Sequence, residues 1–208
     1  QANNLESLNG TDVVPQLKKA FPYLVVRMEN DANCTSLGEM YFGGHDKDDF
    51  IMIALGTGVG GGVIVHRKLF IGSKGNAGEV GFLVVGPKRQ VLENYLGQRH
   101  LANYVKGELL KPENASSSLK LEAELTVEKV FLAAKAGDIF AQGVWDYVGT
   151  LIGVGKAYEL FKGAAVETAN SYFSPYYKAD FEILPAGCEA DTGLIGAASL
   201  VLNELETY

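Results

Sequence analysis

An α/β fold class is predicted for this chain, because apolar runs of strand length alternate with stretches of helical spacing along it. Two observations carry that reading. FIMIAL at 50–55 and VIVHRKLF at 63–70 flank a glycine cluster, which orders strand, turn, strand, and from residue 92 onward the apolar spacing becomes helical. A third supports it: with 208 residues, 47% of them hydrophobic, the chain can build a real core. There is no internal repeat and no low-complexity tract.

The elements follow in order. Residues 12–21 (DVVPQLKKAF) have helical spacing, and 23–28 (YLVVRM) are apolar and β-branched enough for a buried strand that leads into ENDAN. Residues 31–41 (DANCTSLGEMY) suit a helix with Asp31 in its first turn and Gly43-Gly44 closing it. The strand pair around the glycines comes next, then a loop (GSKGNAGEVGF), with a short strand expected over 81–85. Long helices are expected over 92–110, 126–136 and 138–161, the first two separated by a polar, serine-rich loop. A short strand at 181–184 and a last apolar helix over 192–205 complete the chain. Trp145, Tyr147, Leu151 and Ile152 are assigned to the core in preference to a dimer face.

Charge and cysteine usage narrow the function. The formal net charge is −7 and the 18 Lys and Arg are scattered singly, so the basic stripe of a nucleic-acid binder is missing and no nucleic-acid partner is expected. Cys34 and Cys188 lie far apart, without a disulfide framework or a CxxC pair, which fits a reducing, cytoplasmic interior. The longest apolar run, 50–65, is too short and glycine-rich to span a bilayer, so a soluble protein with no membrane partner is expected. The first residue is Gln1, in a polar stretch (QANNLESLNG) that reads like the interior of a longer protein.

Gly56, Thr57, Gly58, Val59, Gly60, Gly61 and Gly62 place five glycines in seven positions. Gly56, Gly58 and Gly61 formally satisfy GxGxxG, but that fingerprint must open a helix, and VIVHRKLF favours strand. No Gly-Lys-Ser/Thr follows, so a Walker loop also fails. A plain hairpin turn, needing positive φ at one or two glycines, remains open. Two glycines would suffice for that; five, with Thr57, free a run of backbone N–H groups to approach an anionic oxygen, so a phosphate-binding hairpin is preferred.

A second constellation is ENDAN, whose polar residues directly follow a predicted strand. Asn30 and Asp31 are both good helix N-caps. Asp31 is also a candidate general base, accepting a proton from a substrate hydroxyl, with asparagine carboxamides bonding other hydroxyls. Glu79, between Gly78 and Gly81, is a second candidate carboxylate or an exposed loop acid.

Taken in order, ENDAN, LGTGVGGGVIV, GNAGEVG, LENY and TGLIGAASL resemble the ROK family of bacterial sugar kinases, glucokinases and related repressors, over nearly all of the chain. The resemblance implies the actin-like, ribonuclease-H-like ATPase fold. In that reading residues 1–28 are a remnant of the N-terminal lobe and 29–208 the C-terminal lobe, the rest of the first lobe being missing. It implies Asp31 as base, Asn30, Gly78, Glu79 and Glu93 at the sugar, and Gly56, Thr57, Gly58, Gly60 and Gly61 at the nucleotide phosphates, with ATP and Mg²⁺ as cofactors, a hexose as substrate and a homodimer as assembly. A sugar-sensing regulator or a catalytically silent sugar-binding protein is the alternative. The chain departs from the family's zinc pattern: Phe82 stands at the position of a ligand histidine, GPKRQVLENY replaces the cysteine segment, and His45, His66 and His100 have no ligand-like spacing, so zinc is not expected. The glycine-rich adenosine segment is also shortened.

Overall fold

A computed structural model describes residues 10–85, 89–151, 182–188 and 192–205. Helix α1 spans Val13–Ala20 and α2 Asp31–Phe42, where Asn30 caps the first turn and Gly43 closes the last. Strands β1 (Phe50–Leu55), β2 (Val59–Val65) and β3 (Lys68–Leu69) form one antiparallel sheet in that order. A 3-10 turn over Val80–Phe82 precedes a small ribbon of β4 (Val84–Val85) and β5 (Gln90–Val91). Then come α3 (Glu93–Leu96), α4 (Gln98–Glu108), α5 (Val127–Lys135), α6 (Ile139–Leu151) and, after 182–188, α7 (Thr192–Leu205).

The sheet has a hydrophobic layer on each side because a strand turns successive side chains to opposite faces. Ile53, Leu55 and Val59 face the larger core, where Leu92, Leu96, Leu101, Val105, Val130, Val144, Trp145 and Val148 are buried. Phe50, Ile64 and Leu69 face Leu37 and Met40 of α2, with Leu200 of α7 beyond. Each fully buried Leu or Val in these layers contributes about 1.5–3 kcal/mol. Trp145 meets Phe131 edge-on at 6.3 Å, as the core assignment requires, while Tyr147 stacks on Tyr104 at 4.7 Å at the rim. Leu151 packs against the same core, and Ile152 lies outside the described residues.

The structure corrects several expected elements. Residues 23–28 do not form a strand: no other strand lies beside them among the described residues, and Tyr23 is 98% exposed, with Leu24, Val25 and Met28 also in solvent. A strand exists only where a neighbour supplies the ladder, so composition alone could not make one here. The strand expected at 63–70 begins earlier, at Val59, and is cut by a tight turn at His66 and Arg67, whose φ values are 51° and 58°. That unusual backbone is held from outside, since His66 N–H donates to Asp49 Oδ1 at 2.6 Å and Arg67 N–H to the Asp48 carbonyl at 2.8 Å. Residues 81–85 give a strand only at 84–85, because Gly81 is pressed against the Val59 carbonyl.

The helix expected over 92–110 breaks at Gly97, where ψ is 136°, into α3 and α4. Residues 182–184 are irregular instead of a strand, and Phe181 lies outside the described residues, as do residues 152–161 of the long helix expected from 138. The helices expected at 31–41, 126–136 and 192–205 form nearly as drawn. No helix among the described residues is long and apolar enough to cross a membrane.

Candidate functional site

The glycine cluster folds as two different things. The turn proper is Gly56-Thr57-Gly58, which joins β1 and β2 with Leu55 opposite Val59, and Gly56 N–H donates to the Gly58 carbonyl at 2.9 Å. None of the five glycines has positive φ, so the backbone-freedom explanation of a plain turn does not apply. Gly56 and Thr57 are exposed, and a Cβ on Gly56 would meet nothing within 4 Å, which leaves open space beside the turn.

Gly60, Gly61 and Gly62 lie inside β2, paired with Ala54, Ile53 and Met52. Here the missing side chains let neighbours approach. A Cβ on Gly60 would stand 3.1 Å from Ala32 Cβ, and one on Gly62 would collide with Ser36 Oγ, so this face takes α2 almost against its backbone. On the opposite face a Cβ on Gly61 would lie 2.7 Å from the Gly78 carbonyl. Gly78 itself has φ 85°, and a Cβ there would sit 2.7 Å from the Gly61 carbonyl, so only glycine serves at that crossing.

These approaches gather the sequence-predicted residues around one strand. Asp31 is the first residue of α2, exposed, one position before the Ala32 that rests on Gly60. Asp31 Oδ1 accepts from Ala32 N–H at 2.9 Å, and the Asp31 carbonyl accepts from Thr35 Oγ1 at 2.9 Å. Asn30 caps the helix: its Oδ1 accepts from Ala32 N–H at 2.9 Å and Asn33 N–H at 3.1 Å. Glu79 is exposed and follows Gly78, so the Gly78 and Gly81 contacts hold it beside β2. Glu93, at the start of α3, reaches the turn directly: its Oε2 accepts from Val59 N–H at 3.0 Å, and a Cβ on Gly58 would collide with that oxygen.

Phe82 is 61% exposed, so the loop is not held by its ring. The loop is instead fixed through Gly78, Gly81 and the Leu92 N–H donated to the Leu83 carbonyl at 2.9 Å.

Sequence reasoning missed three supports. Glu29 Oε1 accepts from Asn30 N–H and from Asn33 Nδ2, both at 2.9 Å, so the first residue of ENDAN fastens its second and fifth. Glu39, 4% exposed, accepts from Gly187 N–H at 2.8 Å and Cys188 N–H at 3.1 Å, which ties residues 182–188 to α2. Gln98 N–H donates to the Gly56 carbonyl at 2.9 Å. The Glu39 and Gln98 bonds join residues far apart in the chain and leave no trace in local spacing. α7 packs along α2 through small residues, and a Cβ on Gly196 would collide with the Cys34 carbonyl. Burial pushes the Cys34 thiol above its ordinary range, and the Glu29 and Asp31 carboxylates reinforce the shift.

The model of the ROK family matches residues 1–166. The chain is 29% identical over 212 aligned residues to a glucokinase of Thermotoga maritima, covering 86% of this chain and 67% of that protein. It is 30% identical to the DNA-binding transcriptional dual regulator NagC of Escherichia coli, over 76% of this chain and 40% of that one. A crystal structure of a ROK family glucokinase from Streptomyces griseus, in complex with glucose and AMPPNP, superposes with a TM-score of 0.76 at 28% identity, covering 90% of this chain and 71% of that one. A glucokinase of Halalkalibacterium halodurans, 33% identical over 142 residues, is matched over 62% of this chain and 43% of its own length, so the chain spans only part of its relatives.

Proposed function

The chain belongs to the ROK family and has the α/β, actin-like ATPase fold of its sugar kinases, and from that membership we propose that it serves ATP-dependent phosphorylation of a hexose, with Asp31 as general base. The observation that carries the reading is the gathering of Asp31, Glu79, Glu93 and the Gly56–Gly58 turn around the bare strand β2. Residues 29–208 would form the lobe that holds this site, and residues 1–28 the remnant of its partner lobe.

The residues divide the work by their free groups. Asp31 Oδ1 is held by Ala32 N–H, which leaves Oδ2 to accept the proton of the sugar hydroxyl. As that proton moves, the hydroxyl oxygen bonds the γ-phosphorus, and the bond from that phosphorus to the bridging oxygen breaks, releasing ADP. Asn30 Oδ1 is spent on the cap, so Asn30 would meet the sugar as a donor through Nδ2. Glu79, placed by Gly78, and Glu93 would accept from sugar hydroxyls. The N–H groups of Thr57 and Gly58 would donate to phosphate oxygens, and Gly56, whose own N–H is bonded to the Gly58 carbonyl, would leave room for the anion to approach; Gly60 and Gly61 would keep that turn against its neighbours. Mg²⁺, carried mainly on the nucleotide's own oxygens and water, would supply charge neutralisation. A homodimer in the cytoplasm is the assembly and place the family resemblance favours.

A regulatory reading is supported by the likeness to NagC, a transcriptional regulator. A sensor needs the sugar contacts but not the base, so the two readings part at Asp31. The test is a coupled ADP-release assay over a panel of hexoses and N-acetylhexosamines, with Asp31→Asn beside the parent. Sugar-stimulated ADP release that Asp31→Asn abolishes supports the kinase; sugar binding without any ADP release leaves the sensor.

A further inference from the structure

We propose that Glu93 is the positioning residue of the phosphate turn, so that nucleotide affinity depends on its carboxylate and changes when sugar occupies its other oxygen. The inference rests on the reading above, in which the turn meets nucleotide phosphates and Glu93 faces the sugar.

A turn with two glycines in three residues has little of its own to hold it in one shape. Apart from the Gly56 N–H bond to the Gly58 carbonyl, its fixings come from outside, and they come from one short stretch. Glu93 Oε2 accepts from Val59 N–H at the β2 end of the turn, and Gln98 N–H donates to the Gly56 carbonyl at the β1 end, at 3.0 and 2.9 Å. Between them Gly97 fits closely, where a Cβ would stand 3.1 Å from the Thr57 carbonyl. The break that divides α3 from α4 at Gly97 is what lets both ends of the stretch reach the turn. Val59 is 5% exposed, so water is a poor substitute for the Glu93 oxygen.

Charge alone makes the opposite prediction. A carboxylate beside a phosphate site repels the phosphate, so neutralising Glu93 should tighten nucleotide if repulsion were its main effect. As a brace it should do the reverse. The second oxygen, Oε1, is the one left for a sugar hydroxyl, and a ligand that fixes the carboxylate there also fixes the bond to Val59. Linkage then requires that sugar and nucleotide alter each other's affinity by the same factor.

Titration calorimetry of the full chain with AMPPNP, with and without glucose, tests this on the parent, Glu93→Gln, Gly58→Ala and Glu79→Gln. Glu93→Gln is expected to weaken AMPPNP binding about 5- to 10-fold, the margin of a charge-assisted over a neutral hydrogen bond, and to remove the dependence on glucose. Gly58→Ala, which displaces the carboxylate without removing it, should weaken AMPPNP similarly. Glu79→Gln should weaken glucose but leave AMPPNP within about twofold, because Glu79 has no bond to the turn. Hydrogen exchange at the Val59 amide should quicken in Glu93→Gln, with circular dichroism unchanged. An AMPPNP affinity that is unchanged or tighter in Glu93→Gln, or an unaltered Val59 exchange rate, overturns the brace while leaving the kinase reading intact. A parent chain that binds neither ligand overturns both.

Discussion

Asp31 has one carboxylate oxygen held by Ala32 N–H and is exposed, and the proposed reading gives the proton to the other oxygen. Replacing the carboxylate by an amide should therefore cost turnover without costing the helix. Asp31→Asn is expected to lower kcat by about 10²–10⁴-fold, with glucose affinity and the thermal midpoint near parent values in calorimetry. The glycines of β2 behave oppositely, since their role is steric. Gly62→Ala forces a methyl group into Ser36 Oγ and should destabilise the fold by about 1–3 kcal/mol in urea unfolding. Gly56→Ala, with open space at that point, should leave stability near parent. Cys34 offers a third check: burial, then the Glu29 and Asp31 carboxylates, raise its thiol, so iodoacetamide at neutral pH should leave Cys34 of the native protein unlabelled.

Among the elements, α6 shows how much rests on one cap. Asp138 Oδ1 accepts from Ala141 N–H at 3.0 Å, while Oδ2 accepts from Ser118 N–H and Ser118 Oγ, both at 2.7 Å, and from Ser117 Oγ at 2.9 Å. Burial works against the charge on Asp138, but the bonds from Ala141, Ser118 and Ser117 outweigh it and hold the carboxyl below its ordinary value. A depressed folded value adds stability that is complete above the unfolded value, about 3.9, and is lost as pH falls through the folded one. Asp138→Asn keeps one cap oxygen but loses the charge-assisted bonds from Ser117 and Ser118, which should cost about 1 kcal/mol at pH 7, and the difference from the parent should shrink on acid titration followed by circular dichroism. Elements of this kind also mark what sequence could convey. The β1 strand, α2, α5 and α7 were legible because their periodicity and caps are local. Residues 23–28 misled because a strand needs a neighbour, and the Gly97 break was invisible because ENYLGQRH carries acceptable helical spacing on both sides of a glycine. At the site, the residues could be nominated from their motifs, but the Glu93 bond to Val59 spans 34 positions and had no local signature.

Across the described residues, burial is unevenly spread. Val105, Val130 and Val148 are fully buried, whereas Val25 and Met28 are exposed and lie outside any helix or strand. Hydrogen exchange should rank them accordingly, with slow amides in α4, α5 and α6 and fast ones over residues 25–28. Metal analysis of the purified protein is expected to find no stoichiometric zinc, with Phe82 exposed where the family pattern has a ligand histidine; a zinc content near one per chain would overturn that expectation. The bare strand β2 has one more consequence. It is a partition a single backbone thick, with Ala32 and Ser36 of α2 against one surface and Gly78 against the other, while Asp31 and Glu79, next in the chain to those contacts, are both exposed. Because side chains along a strand alternate, Gly60 and Gly62 set how closely α2 approaches, and Gly61 sets how closely the Gly78 bend does. Even and odd positions of one short strand are thus separate adjusting screws, by which the spacing of either carboxylate could be tuned while the other stays in place.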